Sequence, residues 1–449
     1  MRVLMLGWEF PPFISGGLGT ACYGLTRALS ELGTEILFVL PRAVGASHAQ
    51  HVRLLSPSEV LAGGGRVSRS LARQFRHVRF LGVDAALHPY AEPGATAAEA
   101  AAKGAARSAA QEPAAEAQLL GFHRPVRTST GVLGSGGAGA DYAGDMFTET
   151  ARYCDLVLEI VEHNDFDVVH AHDWMTYQAG IAAARASGKP LVVHVHSTEF
   201  DRSGEHVNQR VYDVERAGMH AADQVITVSH LTKSIAVSRY GVSPDKITVV
   251  YNGIERNGSP EQPIPRIRRD EKIVLFIGRI TMQKGPEYFV RAAKKVLEVM
   301  ENVRFIMAGS GDMARASIEL AAQLGIGHKV LFTGFLRGKD VERVFRMADL
   351  YVMPSVSEPF GIAPLEAIAQ DVPVLISKQS GVSEVLSHAL KVDFWDVDEM
   401  ANKIVAVLRH PPLHSTLRQH SSFEITRLTW TTAAQNCLDV YRRATGRGD

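Results

Sequence analysis

The residues able to do chemistry in this 449-residue chain fall in a few short clusters. Gly278-Arg279-Ile280-Thr281-Met282-Gln283-Lys284-Gly285 places a guanidinium and an ammonium five residues apart, between a short apolar run and a helical period. At the carboxyl end of a parallel strand, such a pair can converge on a diphosphate. Two solvated loop cations are the plain alternative. Ser357-Glu358-Pro359-Phe360-Gly361-Ile362-Ala363-Pro364-Leu365-Glu366-Ala367 follows a second apolar run. Pro359 and Gly361 stop the strand, and a helix starting near Ile362 offers free backbone N–H groups to a phosphate. Glu358 before that helix and Glu366 within it are placed to accept hydrogen bonds from hydroxyls. The apolar neighbours Leu365, Ala367 and Ile368 argue against an exposed carboxylate at 366. Gly16-Gly17-Leu18-Gly19 sits between the first strand and the first helix, where glycines let backbone N–H groups approach a phosphate or a sugar. The spacing is not GxGxxG, so a nicotinamide fingerprint is not supported, and a tight turn without ligand stays open.

Histidines form a further pattern, His170-x-His172-Asp173 and His194-x-His196. In a strand, residues i and i+2 share a face, so two adjacent strands bring four imidazoles together at their carboxyl ends. His-x-His pairs are frequent metal ligands. Hydrogen-bonded core histidines are the competing expectation, and neutral imidazole also suits a hydroxylated substrate. Asp165-Phe166-Asp167 precedes its strand, at the end opposite to where parallel sheets place active sites. It is therefore assigned to a loop, and no metal site is predicted.

These clusters need strands that end together. Short β-branched runs alternate with helical periods, the pattern of βαβ units and parallel sheets. Val3–Leu6, Ile36–Leu40, Asp167–His172, Pro190–His196, Gln224–Val228 and Ile247–Tyr251 form one series; Lys272–Ile277, Val303–Ala308, Val330–Thr333, Leu350–Met353 and Val372–Ile376 form another. The expected fold class is α/β, two Rossmann-like doubly wound parallel-sheet domains facing a cleft. The expected N-terminal domain is 1–255, with an Ala/Gly-rich flexible insertion at about 92–140. A Pro-rich linker at 256–271 leads to a C-terminal domain at 272–426. The remaining 427–449 forms a helix able to pack back on the N-terminal domain.

The length suits two domains. Lys+Arg and Asp+Glu are both 48, which argues against a nucleic-acid partner. The three cysteines, Cys22, Cys154 and Cys437, lie far apart, as reduced thiols of a cytoplasmic protein do. No apolar run reaches the ~20 residues of a membrane span, and the N-terminal run is too short for a signal peptide. Peripheral membrane contact stays compatible.

Together these motifs resemble the GT-B glycosyltransferases of family 4, near the bacterial and archaeal glycogen synthases. The resemblance covers most of the chain outside the Ala/Gly-rich insertion. It rests on Glu358-Pro-Phe-Gly361 with Glu366, Gly278-Arg279 with Lys284-Gly285, Glu9-Phe10-Pro11-Pro12 with Gly16-Gly17-Leu18, His172-Asp173-Trp174, and Asn252-Gly253. It implies a retaining hexosyltransferase, moving glucose from UDP- or ADP-glucose to a glucan or other glycosyl acceptor, with no cofactor and no metal. By resemblance, Arg279 and Lys284 neutralise the donor diphosphate. Glu366 bonds the ribose hydroxyls, and Glu358 holds the sugar hydroxyls near the reacting carbon. Backbone groups of Phe360, Gly361 and Ile362 contact sugar and phosphate, and Gly17 lines the phosphates. His196 lies over the donor sugar, Asp173 lies near the acceptor, and Glu384 is a weaker match. Ile14 departs from the Lys that starch-type glycogen synthases carry two residues before Gly-Gly-Leu, which argues against an ADP-glucose preference. A GT-B epimerase, a metal-dependent hydrolase using His170, His172, His194 and His196, and a non-enzymatic sugar-nucleotide sensor are the alternatives.

Overall fold

A computed structural model describes residues 1–10, 16–41, 52–55, 74–83, 145–255 and 271–446. The expected insertion at 92–140 and linker positions 256–270 lie outside these residues. By their contacts, the described residues form two compact units. One joins the residues up to Gly253 with those from Thr429 onward; the other is Ile254–Leu428.

In the first unit, β1 (Arg2–Leu6), β2 (Glu35–Pro41), β3 (Val52–Leu55), β4 (Val78–Val83), β5 (Val168–His172), β6 (Leu191–Val195), β7 (Gln224–Thr227) and β8 (Ile247–Val249) form one sheet. Its order is β3-β4-β2-β1-β5-β6-β7-β8. Neighbours pair in parallel, except β3, which runs antiparallel to β4. The edge pair β3, of four residues, and β4, of six, was not among the sequence-predicted strands.

In the second unit, β9 (Lys272–Ile277), β10 (Val303–Ala308), β11 (Val330–Gly334), β12 (Leu350–Met353), β13 (Val374–Ser377) and β14 (Leu390–Val392) form an all-parallel sheet. Its order is β11-β10-β9-β12-β13-β14. The chain leaves β9 towards one edge and returns through β12 on the other side, a topological switch point. Open α/β sheets bind ligands outside the carboxyl ends of the strands at such a point. The first sheet has its own switch point between β1 and β5.

Two-residue alternation sorts the buried side chains of the first sheet. Val169, Ala171, Val193 and Val195 join the core packed under the helices Asp145–Glu162 and Trp174–Ser187. His170, His172 and His194 occupy the intervening positions, on the opposite face. The last helix, Trp430–Ala444, packs on the helix Gly17–Glu31 and on β6 and β7. Gly24 permits this approach: a Cβ there would lie 2.2 Å from the Trp430 indole. No helix among the described residues is long and apolar enough to cross a membrane.

Candidate active site

The second unit gathers its predicted residues at the switch point. Gly278 and Arg279 follow β9 directly, and Lys284 closes the 3-10 turn Met282–Lys284 before the helix Pro286–Leu297. Residues 354–361 follow β12, which pairs with β9. Backbone bonds stitch this second loop in place: Val356 N donates to Gln283 O at 2.9 Å, Glu358 N to Gln379 O at 3.0 Å, and Val382 N to Phe360 O at 2.7 Å. Gly361 starts the helix Ile362–Ala369 at φ +104°, a conformation that side chains other than glycine rarely adopt.

Glu358 is buried, and its carboxylate is an ion-pair partner of the Lys284 ammonium. The Ser355 hydroxyl donates to the same oxygen at 3.2 Å. Glu366 is partly buried, and desolvation raises its carboxyl to about 7. Burial pushes the Tyr351 phenol of β12 well up, and the nearby charges of Glu358 and Glu366 add to this. Cations and both carboxylates thus share one end of one sheet.

The first unit places Gly17 at the start of the helix Gly17–Glu31. It is exposed, and a Cβ there would meet nothing, so packing does not require a glycine at 17. Glu9, buried, accepts from Gly16 N at this helix start. A carboxylate therefore already sits where the sequence placed a phosphate.

The four histidines come together as the strand period predicts. Ring centroids are 4.2 Å apart for His170 and His172, 5.3 Å for His172 and His194, and 4.1 Å for His194 and His196. Burial keeps the rings neutral, lowering His172 to about 3 and the other three well below 6.5. His172 Nδ1 and His196 Nε2 share a hydrogen bond of 2.9 Å.

Asp173 joins β5 to the next helix at φ +60° and ψ 169°, a region nearly closed to residues other than glycine. The resemblance puts its side chain near the acceptor. The structure buries that side chain and turns its Oδ1 onto the end of β6, accepting from His196 N at 2.7 Å and Ser197 N at 3.3 Å. Burial raises this carboxyl to about 7. Glu384, the weaker match, ends the 3-10 turn Gly381–Glu384 after β13.

The family model described as "Glycosyl transferases group 1" matches residues 260–422, "Glycosyltransferase Family 4" matches 145–257, and "Starch synthase catalytic domain" matches 2–91. An uncharacterized glycosyltransferase of Methanocaldococcus jannaschii is 34% identical over 312 residues, 66% of this chain and 80% of that protein. The chain belongs to the GT-B glycosyltransferases. A glycogen synthase of Mycobacterium tuberculosis is 25% identical over 452 residues, covering 99% of this chain and 95% of that one. The sucrose-phosphate synthase of Thermosynechococcus elongatus shares the fold with a TM-score of 0.71 at 18% identity over 100% of both chains. Anabaena HepE, solved in complex with UDP and glucose, has a TM-score of 0.65 at 18% identity, covering 99% and 100%. Membership in this family leaves the hydrolase, epimerase and sensor alternatives without support.

This glycosyltransferase also carries a buried ionic network that sequence reasoning missed. Arg202 donates to Glu199 at 3.1 Å, to Glu215 at 2.5 Å and to the Ser197 hydroxyl at 2.7 Å. Tyr240 donates to Glu215, whose carboxyl burial raises and Arg202 opposes. The Asp201 carboxylate accepts from Thr198 N at 2.7 Å and from its hydroxyl at 2.8 Å. The available signal was the density of Glu199, Asp201 and Arg202 just past the strand Leu191–Val195. Asp201→Ala, which orphans the buried Thr198 N–H, is expected to destabilise the protein by about 2 kcal/mol in urea titration. A loss near zero would remove Asp201 from this framework.

Proposed function

We propose that this glycosyltransferase retains anomeric configuration and transfers a hexose, glucose in the first instance, from a UDP- or ADP-linked donor to a carbohydrate acceptor of the α-glucan type. The observation that carries the proposal is the pairing of Lys284 with Glu358 at the β9–β12 switch point, in loops that also carry Arg279. The likeness to a named glycogen synthase along 99% of the chain supports the glucan acceptor. Structural neighbours solved with UDP or UDP-glucose support the donor class.

In the reaction, the bond from the anomeric carbon to the diphosphate oxygen breaks, and a bond from the same carbon to the acceptor hydroxyl forms. The departing phosphate oxygen takes the acceptor's proton. Positive charge develops on the sugar ring and negative charge on the diphosphate. Arg279, Lys284 and the backbone amides around Phe360–Ile362 stabilise the diphosphate charge. Fixed donors of this kind each lower the barrier by about 3 kcal/mol. Glu358 orients Lys284 and accepts from the sugar hydroxyls, with Phe360 and Gly361 beside it, and Glu366 accepts from the ribose hydroxyls. The resemblance assigns His196 to the donor sugar, and Asp173 holds the backbone of residues 196 and 197.

The test is a donor panel of UDP- and ADP-glucose with glycogen, maltooligosaccharide and inositol phosphate as acceptors, followed by NMR of the product. An α-linked glucan is expected. A β-linked product would refute retention, and transfer only to inositol phosphate would refute the glucan assignment.

Glu366 adds a pH dependence. Its acceptor role requires the carboxylate, and its folded pKa of about 7 lies above the ordinary 4.5. The ionised fraction therefore falls as pH drops through 7, and the donor KM rises. A single group titrating near 7 implies roughly a fivefold rise in KM from pH 7 to pH 6. Glu366→Gln should raise KM at pH 8 and flatten the profile; a wild-type KM constant between pH 6 and 8 would remove the role.

A further inference from the structure

Histidines buried in a sheet are ordinarily satisfied by hydrogen bonds. Here His170 and His172 are fully buried and His194 is 2% exposed, yet His170 Nε2, His172 Nε2 and both ring nitrogens of His194 have no hydrogen-bond partner among the described residues. One nitrogen from each of the three rings lies within 4.8 Å of the others.

The surroundings match what a metal ligand requires. A ligating imidazole uses one nitrogen for the ion and spends the other on an oriented partner, which sets its tautomer. His170 Nδ1 lies 2.7 Å from the Tyr441 hydroxyl, and His172 Nδ1 lies 2.9 Å from His196 Nε2. In both rings Nε2 is the free atom. The rings already sit close to a shared centre, with centroids 4.2, 5.3 and 5.4 Å apart. A tetrahedral zinc with nitrogens at about 2.1 Å sets them about 3.4 Å from one another. Closing from 4.8 Å calls for ring shifts of roughly 1 Å, within the reach of χ rotation.

We propose that His170, His172 and His194 bind one divalent transition-metal ion of the zinc class through three neutral imidazole nitrogens. All-imidazole donation suits zinc, cobalt, nickel or copper, and disfavours magnesium, calcium and manganese. The ion would tie β5 to β6 and, through Tyr441, to the C-terminal helix. It would also fix the tautomer of His172, so that its Nδ1–H donates to His196 Nε2. The proposal departs from the sequence-based expectation of no metal; its ground is that, among the described residues, hydrogen bonds leave these ring nitrogens unsatisfied.

The experiment uses the full chain without a histidine tag, stripped with chelator and titrated with Co²⁺ and Zn²⁺. One bound equivalent is expected, with visible Co²⁺ ligand-field bands. A hundredfold excess over Kd should raise the thermal midpoint by about 5 °C or more. The double variant His170→Leu/His194→Leu should lose bands and binding. Folded wild-type protein that shows neither bands nor bound metal at micromolar concentrations overturns the proposal, and this measurement needs no variant. Binding that survives the double variant, or a thiolate charge-transfer band lost in Cys22→Ser, would move the ion to another ligand set such as Cys22, His172 and His196 and overturn this assignment. Where the double variant does not fold, His194→Asn alone serves, and unchanged bands in it refute the ligand set.

Discussion

Lys284→Ala lowers the turnover of sugar transfer by about 10²–10³-fold while the protein stays folded. The ammonium lies in a turn after β9, partly exposed, so its removal opens no cavity in the core of the second unit. On the proposed role, what disappears is positive charge that faces the leaving diphosphate. Its other effect is on Glu358, a buried carboxylate that keeps the Ser355 hydroxyl as a donor. The double variant Lys284→Ala/Glu358→Gln separates the two effects. If Lys284 serves the diphosphate, the double variant stays as slow as the single one. If Lys284 only neutralises Glu358, removing that charge restores turnover. Arg279→Ala should show a loss of the same order. Steady-state kinetics at saturating donor, alongside circular dichroism, measures both, and near-wild-type kcat in both folded variants would sink the diphosphate assignment.

Arg202→Met is expected to destabilise the protein by about 3–5 kcal/mol, because it strands two buried carboxylates. Glu199 and Glu215 are 1% and 2% exposed and both pair with this guanidinium. The deficit should depend on pH in a definite direction. Without Arg202 the folded pKa of Glu215 rises further above its unfolded value, so the folded variant binds more protons than the unfolded chain. Its stability then falls as pH rises from about 4.5 through the folded pKa. The gap to wild type should be smaller at pH 5 than at pH 8 in urea titrations. A gap that is equal at both, or below about 1 kcal/mol, would mean that water already satisfies these carboxylates. Transfer should also weaken, since Arg202 holds Ser197 beside His196.

Much of the site could be read from local pattern. The loops after β9 and β12 carry Arg279, Lys284, Glu358 and Glu366 because glycine and proline end those strands where the residues say they should. The two-residue strand period brought His170, His172 and His194 onto one face, as expected from their spacing. Arg202 was missed because a cation in a five-residue helix looks solvated until Glu215 from another helix is packed against it. The contacts of Asp173 with His196 N and Ser197 N could not be read from the sequence, because its positive φ, rare for an aspartate, is invisible in composition. The strands β3, β4 and β14 were not read from the sequence.

By itself the sequence determined the two series of βα units, the family, and which loops carry charge, since apolar periodicity and the φ limits of glycine and proline act within a few residues. Tertiary structure alone decided which of those charges meet. Lys284 reaches Glu358 across 74 residues and Tyr441 reaches His170 across 271, and such pairs exist only after the sheets have assembled. Burial, which sets the protonation of Glu366 and leaves the histidine nitrogens without partners, is likewise a property of the packed chain and of no segment alone.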